Sequence, residues 1–238
     1  MSAADTTLHG VFAALDGLQS PGARCVMFMA AWRGEGVSTL ARTFAEQCAW
    51  RSRRATLLVD LDLLRNSQCQ SFIESGIPVA ESADGRLAGA TFVRAVMRDG
   101  VEAPMEARRM RIARVGDQRL YVTHFDAQGL KDDVRLQISN APEYWRAARA
   151  GADYTVVDAP ALQRSRAGLG VAAHMDGVVL VVSGAAGSAA ATLALKAELE
   201  RRGARVLGLV YAHADRGVTL LERLFQRRFQ NRTQYRAA

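Results

Sequence analysis

Glycine, serine and aspartate residues follow apolar runs of this 238-residue sequence. The first such run leads into "AWRGEGVST", residues 31–39, where two glycines precede a serine and a threonine. Glycines at this spacing let backbone N–H groups close around a phosphate, and a helix that begins there adds the partial positive charge of its N-terminus. The chemistry indicated is the binding of a nucleotide phosphate. The predicted nucleotide-binding residues are Arg33, Gly34, Glu35, Gly36, Val37, Ser38 and Thr39.

Two further apolar runs end in aspartate. "TLLVD" ends at Asp60, with Asp62 two residues later, and "YTVVD" ends at Asp158. A loop serine and a strand-end aspartate usually hold Mg²⁺ beside a phosphate-binding loop. Ser38, Asp60 and Asp158 are therefore the predicted metal ligands. Any one of these motifs can arise by chance, but here all of them occur in the order that such a site requires.

The residue before Ser38 is Val37, where a loop of this kind normally carries lysine. A hydrogen bond to a charged group contributes roughly 1.5–3 kcal/mol, so its loss predicts a nucleotide affinity lower by ~10- to 100-fold. Arg33 is the nearest cation, but its planar guanidinium does not substitute for an ammonium threaded through the loop. We expect ATP or ADP with Mg²⁺ to bind weakly or not at all.

Alternating strands and helices must position these residues. Strands are predicted near 24–30, 55–60, 119–123, 153–158, 177–183 and 205–212, and helices over 37–50, 87–98, 141–150, 166–174, 188–202 and 219–230. This alternation favours βαβ units, and strands that are apolar throughout are typical of a sheet covered on both faces. The predicted fold is α/β, a doubly wound, mostly parallel sheet with helices on both faces. Ligands in such folds bind beyond the carboxyl ends of the strands.

Length and composition favour one large α/β domain. A chain that is 49% hydrophobic over 238 residues can bury a substantial core. We predict an N-terminal helical segment over 1–22, a P-loop-like α/β domain over 23–218, and a basic helix and tail over 219–238. The N-terminus lacks the residue order of a signal peptide, and no apolar run is long enough to span a membrane, which predicts a cytoplasmic protein.

The net charge of +7 comes almost wholly from arginine. Such basicity permits nucleic acid, an anionic membrane surface or an acidic protein as a partner, although a solvated arginine-rich surface explains it more simply. Residues 98–114 contain five arginines and are interpreted as a solvated linker or helix face, or else as a contact with an acidic or membrane-proximal partner. The apolar residues of 220–225 share one helix face, so the tail is either a closing core helix or a membrane-surface or partner helix.

The three motifs resemble those of the bacterial tyrosine autokinases that work with co-polymerase membrane proteins in exopolysaccharide synthesis, a family of the deviant-Walker P-loop superfamily. "RGEGVSTLARTFAEQCA" resembles the loop and first helix of that family, "ATLLVDLDLLRN" its second acidic motif, and "ADYTVVDAP" its Walker B segment. The resemblance covers residues 10–212. In an active kinase it implies that Asp60 and Asp158 handle Mg²⁺, that Asp62 helps to activate a hydroxyl, and that Tyr235 accepts phosphate.

The sequence departs from the family at the lysine position, Val37, and at several others. Leu64 stands in place of the motif arginine, Ala212 in place of the asparagine that reads the base, a lone Tyr235 in place of the C-terminal tyrosine cluster, and Gly10, Ala13 and Asp16 in place of the charged residues of a ring-forming helix. The family residues that this sequence keeps are those of the fold and of the metal site. The family residues that it lacks are those that neutralise the phosphate charge, read the base, accept phosphate and assemble the ring.

The resulting hypothesis is a degenerate relative of the kinases, a pseudokinase. It predicts a cytoplasmic regulator of capsule- or holdfast-like exopolysaccharide synthesis or export, acting through an inner-membrane co-polymerase of the chain-length-determinant kind. The expected protein is a monomer or dimer, located in the cytoplasm or peripheral to the inner membrane. An anionic membrane surface is a further expected contact, and no nucleic acid is expected.

Two other hypotheses remain open. The first is an active ATP-dependent tyrosine autokinase, against which Val37 argues. The second is a positioning ATPase of the MinD or ParA kind, which dimerises across nucleotide and binds DNA or membrane. Those relatives generally need the loop lysine, and most carry a second lysine near the start of the loop, where this chain has Ala31, Trp32 and Arg33.

Overall fold

Strands and helices alternate in the computed structural model, which describes residues 3–18, 22–81, 91–104, 109–183 and 188–212. The strands are β1 (Arg24–Met29), β2 (Thr56–Asp60), β3 (Val79–Glu81), β4 (Val93–Met97), β5 (Glu102–Ala103), β6 (Met110–Val115), β7 (Leu120–Phe125), β8 (Val134–Ile138), β9 (Tyr154–Asp158), β10 (Gly177–Val182) and β11 (Val206–Tyr211). The helices are α1 (Ala3–Asp16), α2 (Val37–Arg51), α3 (Ser67–Glu74), α4 (Pro142–Gly151), α5 (Ala167–Val171) and α6 (Ser188–Arg201).

An eight-stranded sheet of order β11-β10-β1-β9-β2-β7-β6-β3 forms the centre of the protein. The strands from β11 to β7 run parallel to one another, whereas β6 and β3 are antiparallel to their neighbours. Strand β9 lies between β1 and β2, so the ends of all three meet at one edge of the sheet. The predicted α/β fold with a mostly parallel sheet is confirmed.

Helices cover both faces of this sheet. Successive side chains of a strand point to opposite faces, and in β1 both sets are buried: Met27 and Met29 on one face, Val26 and Phe28 on the other. One face carries the α2-side cluster, which contains buried residues of α1, α2 and α3, and the other carries buried residues of α4, α5 and α6. This two-sided burial explains why the central strands are apolar throughout.

Helix α1 belongs to the α2-side cluster. The ring of Phe12 is 3% exposed and lies 4.5 Å from the ring of Phe44, measured between centroids. The guanidinium of Arg51 lies over the Phe12 ring, 3.4 Å from the ring centroid. The remaining buried side chains of α1 in this cluster are Leu8, Val11 and Leu15. The N-terminal helix is therefore packed into the core of the α/β domain.

The helix predicted over 87–98 is wrong at residues 93–97, which form strand β4. Val93 and Ala95 are buried while Arg94 between them is exposed, an alternation with the period of a strand. Strand β4 pairs with β5 and β8 in a three-stranded antiparallel sheet. Phe92, just before β4, packs against Tyr144 and Trp145 of α4, with ring centroids 4.6 Å and 5.8 Å away.

The interpretation of residues 98–114 as a solvated linker or helix face is wrong at residues 102–103 and 110–114, whereas residues 98–101 form an exposed turn. Residues 102–103 and 110–115 are strands β5 and β6, and β6 pairs with β7 in the main sheet. Arg111 on β6 makes ion pairs with Glu81 at 2.5 Å and with Asp126 at 3.1 Å. The charge of Arg111 is thus paired with carboxylates at the antiparallel edge of the main sheet, which strands β6 and β3 form.

The other predicted elements agree with the structure wherever it describes them. Each predicted strand is present, and the helices predicted at 37–50, 141–150 and 188–202 correspond to α2, α4 and α6. The segment predicted as helix over 166–174 contains α5 and a following 3-10 turn. Helix α3 was not predicted, and the helix predicted over 219–230 lies outside the described residues. None of the described helices is both long and apolar enough to cross a membrane.

Candidate nucleotide-binding site

The loop between β1 and α2 has a backbone that requires its glycines. Gly34 has φ +81° and Gly36 has φ +82°, in the left-handed region that other residues enter only at a cost. Gly36 is also the N-cap of α2, so the loop ends at the positive end of a helix. Backbone of this kind forms a concave surface that can bind an anion. The predicted glycines therefore shape the loop as a phosphate site needs.

Glu35 anchors this loop from inside the protein. It is only 2% exposed, and its carboxylate accepts hydrogen bonds from the backbone N–H groups of Trp32 at 3.2 Å and Ser183 at 3.4 Å. Ser183 follows β10, so Glu35 ties the loop to the neighbouring strand. Arg33, by contrast, is exposed at the tip of the loop.

Val37 is the first residue of α2 and is buried in the α2-side cluster. Ala212, at the end of β11, belongs to the same cluster, and its Cβ lies 3.5 Å from the point that a Cβ on Gly36 would occupy. Two apolar residues, Val37 and Ala212, thus flank Gly36 where the loop enters α2. Thr39, in the first turn of α2, is half-buried.

The carboxylates of Asp60 and Asp158 are brought together at the edge of the sheet. The two residues are register partners on β2 and β9 and are 2% and 3% exposed. Asp60 Oδ1 accepts a hydrogen bond from the N–H of Asp62 at 2.8 Å, and its Oδ2 accepts from the hydroxyl of Ser67 and the N–H of Gln68, each at 3.0 Å. Both oxygens of Asp60 are therefore already bound by protein donors.

The side chain of Gln68 joins this carboxylate pair to the loop. Its Nε2 donates to Asp158 Oδ2 at 2.6 Å and to the backbone carbonyl of Ser38 at 2.8 Å. Asp158 also shares a hydrogen bond with the side chain of Ser38. Gln68 is fully buried, and its Oε1 has no partner among the described residues. A neutral amide thus lies between the loop and the acidic pair.

Burial and the neighbouring carboxylate shift the protonation of this pair. Burial, followed by the negative charge of Asp60, raises the pKa of Asp158 to about 7, against the hydrogen bonds from Gln68 and Ser38 that favour its ionised form. Burial also raises the pKa of Asp60, opposed by its own hydrogen bonds. Two buried carboxylates that repel each other retain a proton that a single exposed one would lose.

This shift predicts a pH-dependent stability. The pKa of Asp158 is higher in the folded protein than its ordinary value of 3.8, so the folded state binds more protons and the free energy of unfolding falls as the pH rises through about 7. Asp158→Asn cannot titrate but keeps the shape and an acceptor for Gln68. Between acidic and mildly basic pH, the variant should gain stability relative to wild type by on the order of 4 kcal/mol. Urea unfolding at several pH values measures this, and parallel curves for the two proteins would contradict it.

Asp62 is engaged by an arginine from a distant part of the chain. The guanidinium of Arg164, in the loop after β9, donates to both carboxylate oxygens of Asp62, Nη2 to Oδ1 at 2.7 Å and Nη1 to Oδ2. Paired donors of this kind occupy the lone pairs of the carboxylate. Asp62 cannot act as a base toward a hydroxyl without first leaving Arg164. Tyr235, the proposed acceptor of phosphate, lies outside the described residues.

Sequence reasoning missed Gln68 and Arg164. Gln68 lies on α3, whose one signal was the polar run Asn66-Ser67 after "DLLR", a pattern typical of a helix start. Arg164 is 102 residues from Asp62 along the chain, and nothing in the sequence indicates their contact.

As arranged here, the predicted metal ligands do not fit a bound Mg²⁺. Ser38, Asp60 and Asp158 lie together, but both oxygens of Asp60 and Oδ2 of Asp158 accept hydrogen bonds from protein donors. A divalent cation needs those oxygens itself. Within the part of the chain that the structure describes, no three His, Cys, Asp or Glu side chains group closely enough to hold a metal ion.

The parallel sheet, the glycine loop before α2 and the strand-end aspartates define a P-loop NTPase-like fold. No protein-family model and no curated protein sequence matches this chain. Solved structures do share its fold. The VpsO kinase domain superposes with a TM-score of 0.57 at 17% identity, covering 88% of this chain and 95% of that one.

Two further structures extend the likeness. The kinase domain of the Escherichia coli tyrosine kinase ETK has a TM-score of 0.54 at 16% identity, covering 85% of this chain and 72% of that one. The septum site-determining protein MinD from Pyrococcus horikoshii OT3, complexed with Mg-ADP, has a TM-score of 0.54 at 14% identity, covering 79% and 70%. The chain thus has the fold that bacterial tyrosine kinase domains share with MinD.

Proposed function

We propose that this protein is a non-catalytic regulator of exopolysaccharide synthesis or export that binds an inner-membrane co-polymerase of the chain-length-determinant kind. One observation carries the proposal: the residue that follows Gly36 and begins α2 is the buried Val37, where the resemblance to the kinases implies a lysine. An apolar side chain cannot neutralise the β- and γ-phosphates, and electrostatic stabilisation supplies most of the catalysis in phosphoryl transfer.

The remaining residues of the site support the same proposal. Asp62 is held by Arg164 and Asp158 by Gln68, so both would have to break existing bonds to take part in phosphoryl transfer. Ala212 lacks the amide that would read a base. The fold is retained while the groups that act on nucleotide are absent or engaged, a pattern that favours a function carried by a surface. ATP or ADP with Mg²⁺ binds weakly or not at all under this proposal.

The exopolysaccharide assignment rests on the Gly-Glu-Gly loop and the D-x-D strand end, which favour the polysaccharide kinases over the positioning ATPases. The fold is shared with the kinase domains of VpsO and ETK and also with MinD, so the choice between the two classes rests on these motifs. The product would be a capsule- or holdfast-like polymer, and the protein would act in the cytoplasm or at the inner membrane. Its basic tail, residues 219–238, would contact the acidic face of the partner or the anionic membrane surface.

Complementation of a strain that lacks the protein tests this proposal. Asp158→Asn should restore polymer to the wild-type level, because the site does no chemistry. Arg227→Glu combined with Arg228→Glu should not restore it, because the change inverts the local field that the partner meets. Immunoblots establish equal protein levels, and a polymer stain gives the result.

The opposite pattern, with polymer lost in Asp158→Asn and kept in the tail variant, would contradict the proposal. Purified protein gives a second measurement, since wild type should hydrolyse ATP no faster than buffer and should not label its own tyrosine. Mg²⁺-dependent hydrolysis that Asp158→Asn abolishes would favour an active autokinase if phosphotyrosine forms. Without phosphotyrosine it would favour a positioning ATPase.

A further inference from the structure

We propose that the side-chain amide of Gln68 occupies the position between the loop and Asp158, and that it prevents divalent cations from binding there. The inference concerns the same site as the proposed function and rests on its premise that the site does no turnover. A site that cannot bind a divalent cation would lack turnover for a reason that is independent of Val37.

The contacts of Gln68 Nε2 carry the proposal. This one atom donates hydrogen bonds to the Ser38 carbonyl oxygen at 2.8 Å and to Asp158 Oδ2 at 2.6 Å. A carboxylate is an oxygen ligand that hard divalent cations prefer. Here Asp158 Oδ2 accepts an N–H from the amide instead. The partial positive charge of the NH₂ group thus takes the place that a cation would need.

The orientation of the amide follows from the same contacts. An amide oxygen in this position would face two acceptors and no donor, so the network requires the nitrogen there. The consequence is that Oε1 points away and lies buried with no partner among the described residues. The two donor bonds therefore fix the orientation of the amide.

The rest of α3 holds Gln68 in place. Its backbone N–H donates to Asp60 Oδ2 at 3.0 Å, and its side chain is fully buried. On the same helix Cys69 and Phe72 are buried in the α2-side cluster. The amide therefore cannot swing out to admit a cation unless the start of α3 moves with it.

Titration with Mn²⁺ in the absence of nucleotide tests the inference. Electron paramagnetic resonance of free Mn²⁺ should show no binding to the wild-type protein up to millimolar metal. Gln68→Ala, which removes the amide but keeps the two aspartates, should bind Mn²⁺ at least about tenfold more tightly than wild type. Adding Asp158→Asn to Gln68→Ala should remove that gain, because a carboxylate ligand is lost.

A second variant guards against misfolding of Gln68→Ala. Gln68→Glu keeps the shape of the side chain and replaces the donor by a carboxylate, so Mn²⁺ should raise its melting temperature and leave that of wild type unchanged. The inference is overturned if wild type binds Mn²⁺ as tightly as Gln68→Ala, or if Mn²⁺ does not raise the melting temperature of Gln68→Glu. No nucleotide or polymer enters these measurements, so their failure would leave the complementation result standing, and the reverse also holds.

Discussion

Replacing Val37 by lysine is expected to raise the affinity for ADP by at least about tenfold, the effect of one charged hydrogen bond to phosphate. Val37 is the first residue of α2 and directly follows Gly36, whose left-handed conformation turns the chain into the helix. The aliphatic stem of lysine can take the place of the buried valine in the α2-side cluster while its ammonium reaches the loop. Calorimetry with ADP alone measures the gain.

The matched control is Val37→Met, which has a straight apolar chain of similar length and no charge. It should bind ADP no better than wild type, so any gain specific to lysine reports the ammonium. Omitting Mg²⁺ separates this effect from the one proposed for Gln68. A folded Val37→Lys protein with wild-type affinity would show that the loop, and not its missing charge, prevents nucleotide binding.

Phe12→Ala is expected to lower the free energy of unfolding by about 3–5 kcal/mol, as deletion of a buried aromatic ring does. The ring is 3% exposed and lies against Phe44, and the guanidinium of Arg51 covers it at 3.4 Å. Its loss leaves a cavity between α1 and α2 and also removes the cation–π contact. Urea unfolding followed by circular dichroism measures the change.

An exposed position of the same helix provides the control for Phe12→Ala. His9→Ala should change the free energy of unfolding by no more than about 0.5 kcal/mol. If Phe12→Ala were equally mild, α1 would not be packed into the domain in solution. Gly10, Ala13 and Asp16, where the resemblance to the kinases implies ring-forming charges, are exposed on this helix. Light scattering on the same samples should therefore return a monomer or dimer, and a ring-sized mass would contradict that.

The sequence predicted the parallel strands of the main sheet because burial on both faces leaves a strong pattern. Runs such as "TLLVD" and "YTVVD" are apolar at every position, and β2 and β9 coincide with them. Parallel strands bring their carboxyl ends to one edge, so the same pattern predicted that Asp60 and Asp158 would lie near the loop. The predicted carboxylates do meet there, as register partners.

The antiparallel strands β6 and β3 of the main sheet and the three-stranded sheet of β5, β4 and β8 were not predictable in this way. Strand β4 has only two fully buried positions, Val93 and Ala95, and an exposed arginine between them. Strand β6 carries Arg111 and Arg114, which locally read as a solvated segment. Short, half-exposed antiparallel strands gain their stability from pairing with β7 or β8, and that pairing leaves little trace in the sequence.

The sequence by itself determined the fold class, the glycine loop and the absence of its lysine, since each depends on residues that are neighbours along the chain. Only the tertiary structure decided what surrounds those residues. Ala212 lies beside Gly36 at the loop, Gln68 reaches Asp158 across 90 residues, and Arg164 binds Asp62 across 102. These contacts depend on strand order and helix placement, because β9 is inserted between β1 and β2. No local pattern in the sequence encodes that insertion. It determines which groups bind the carboxylates of the site, and therefore which reactions those carboxylates can take part in.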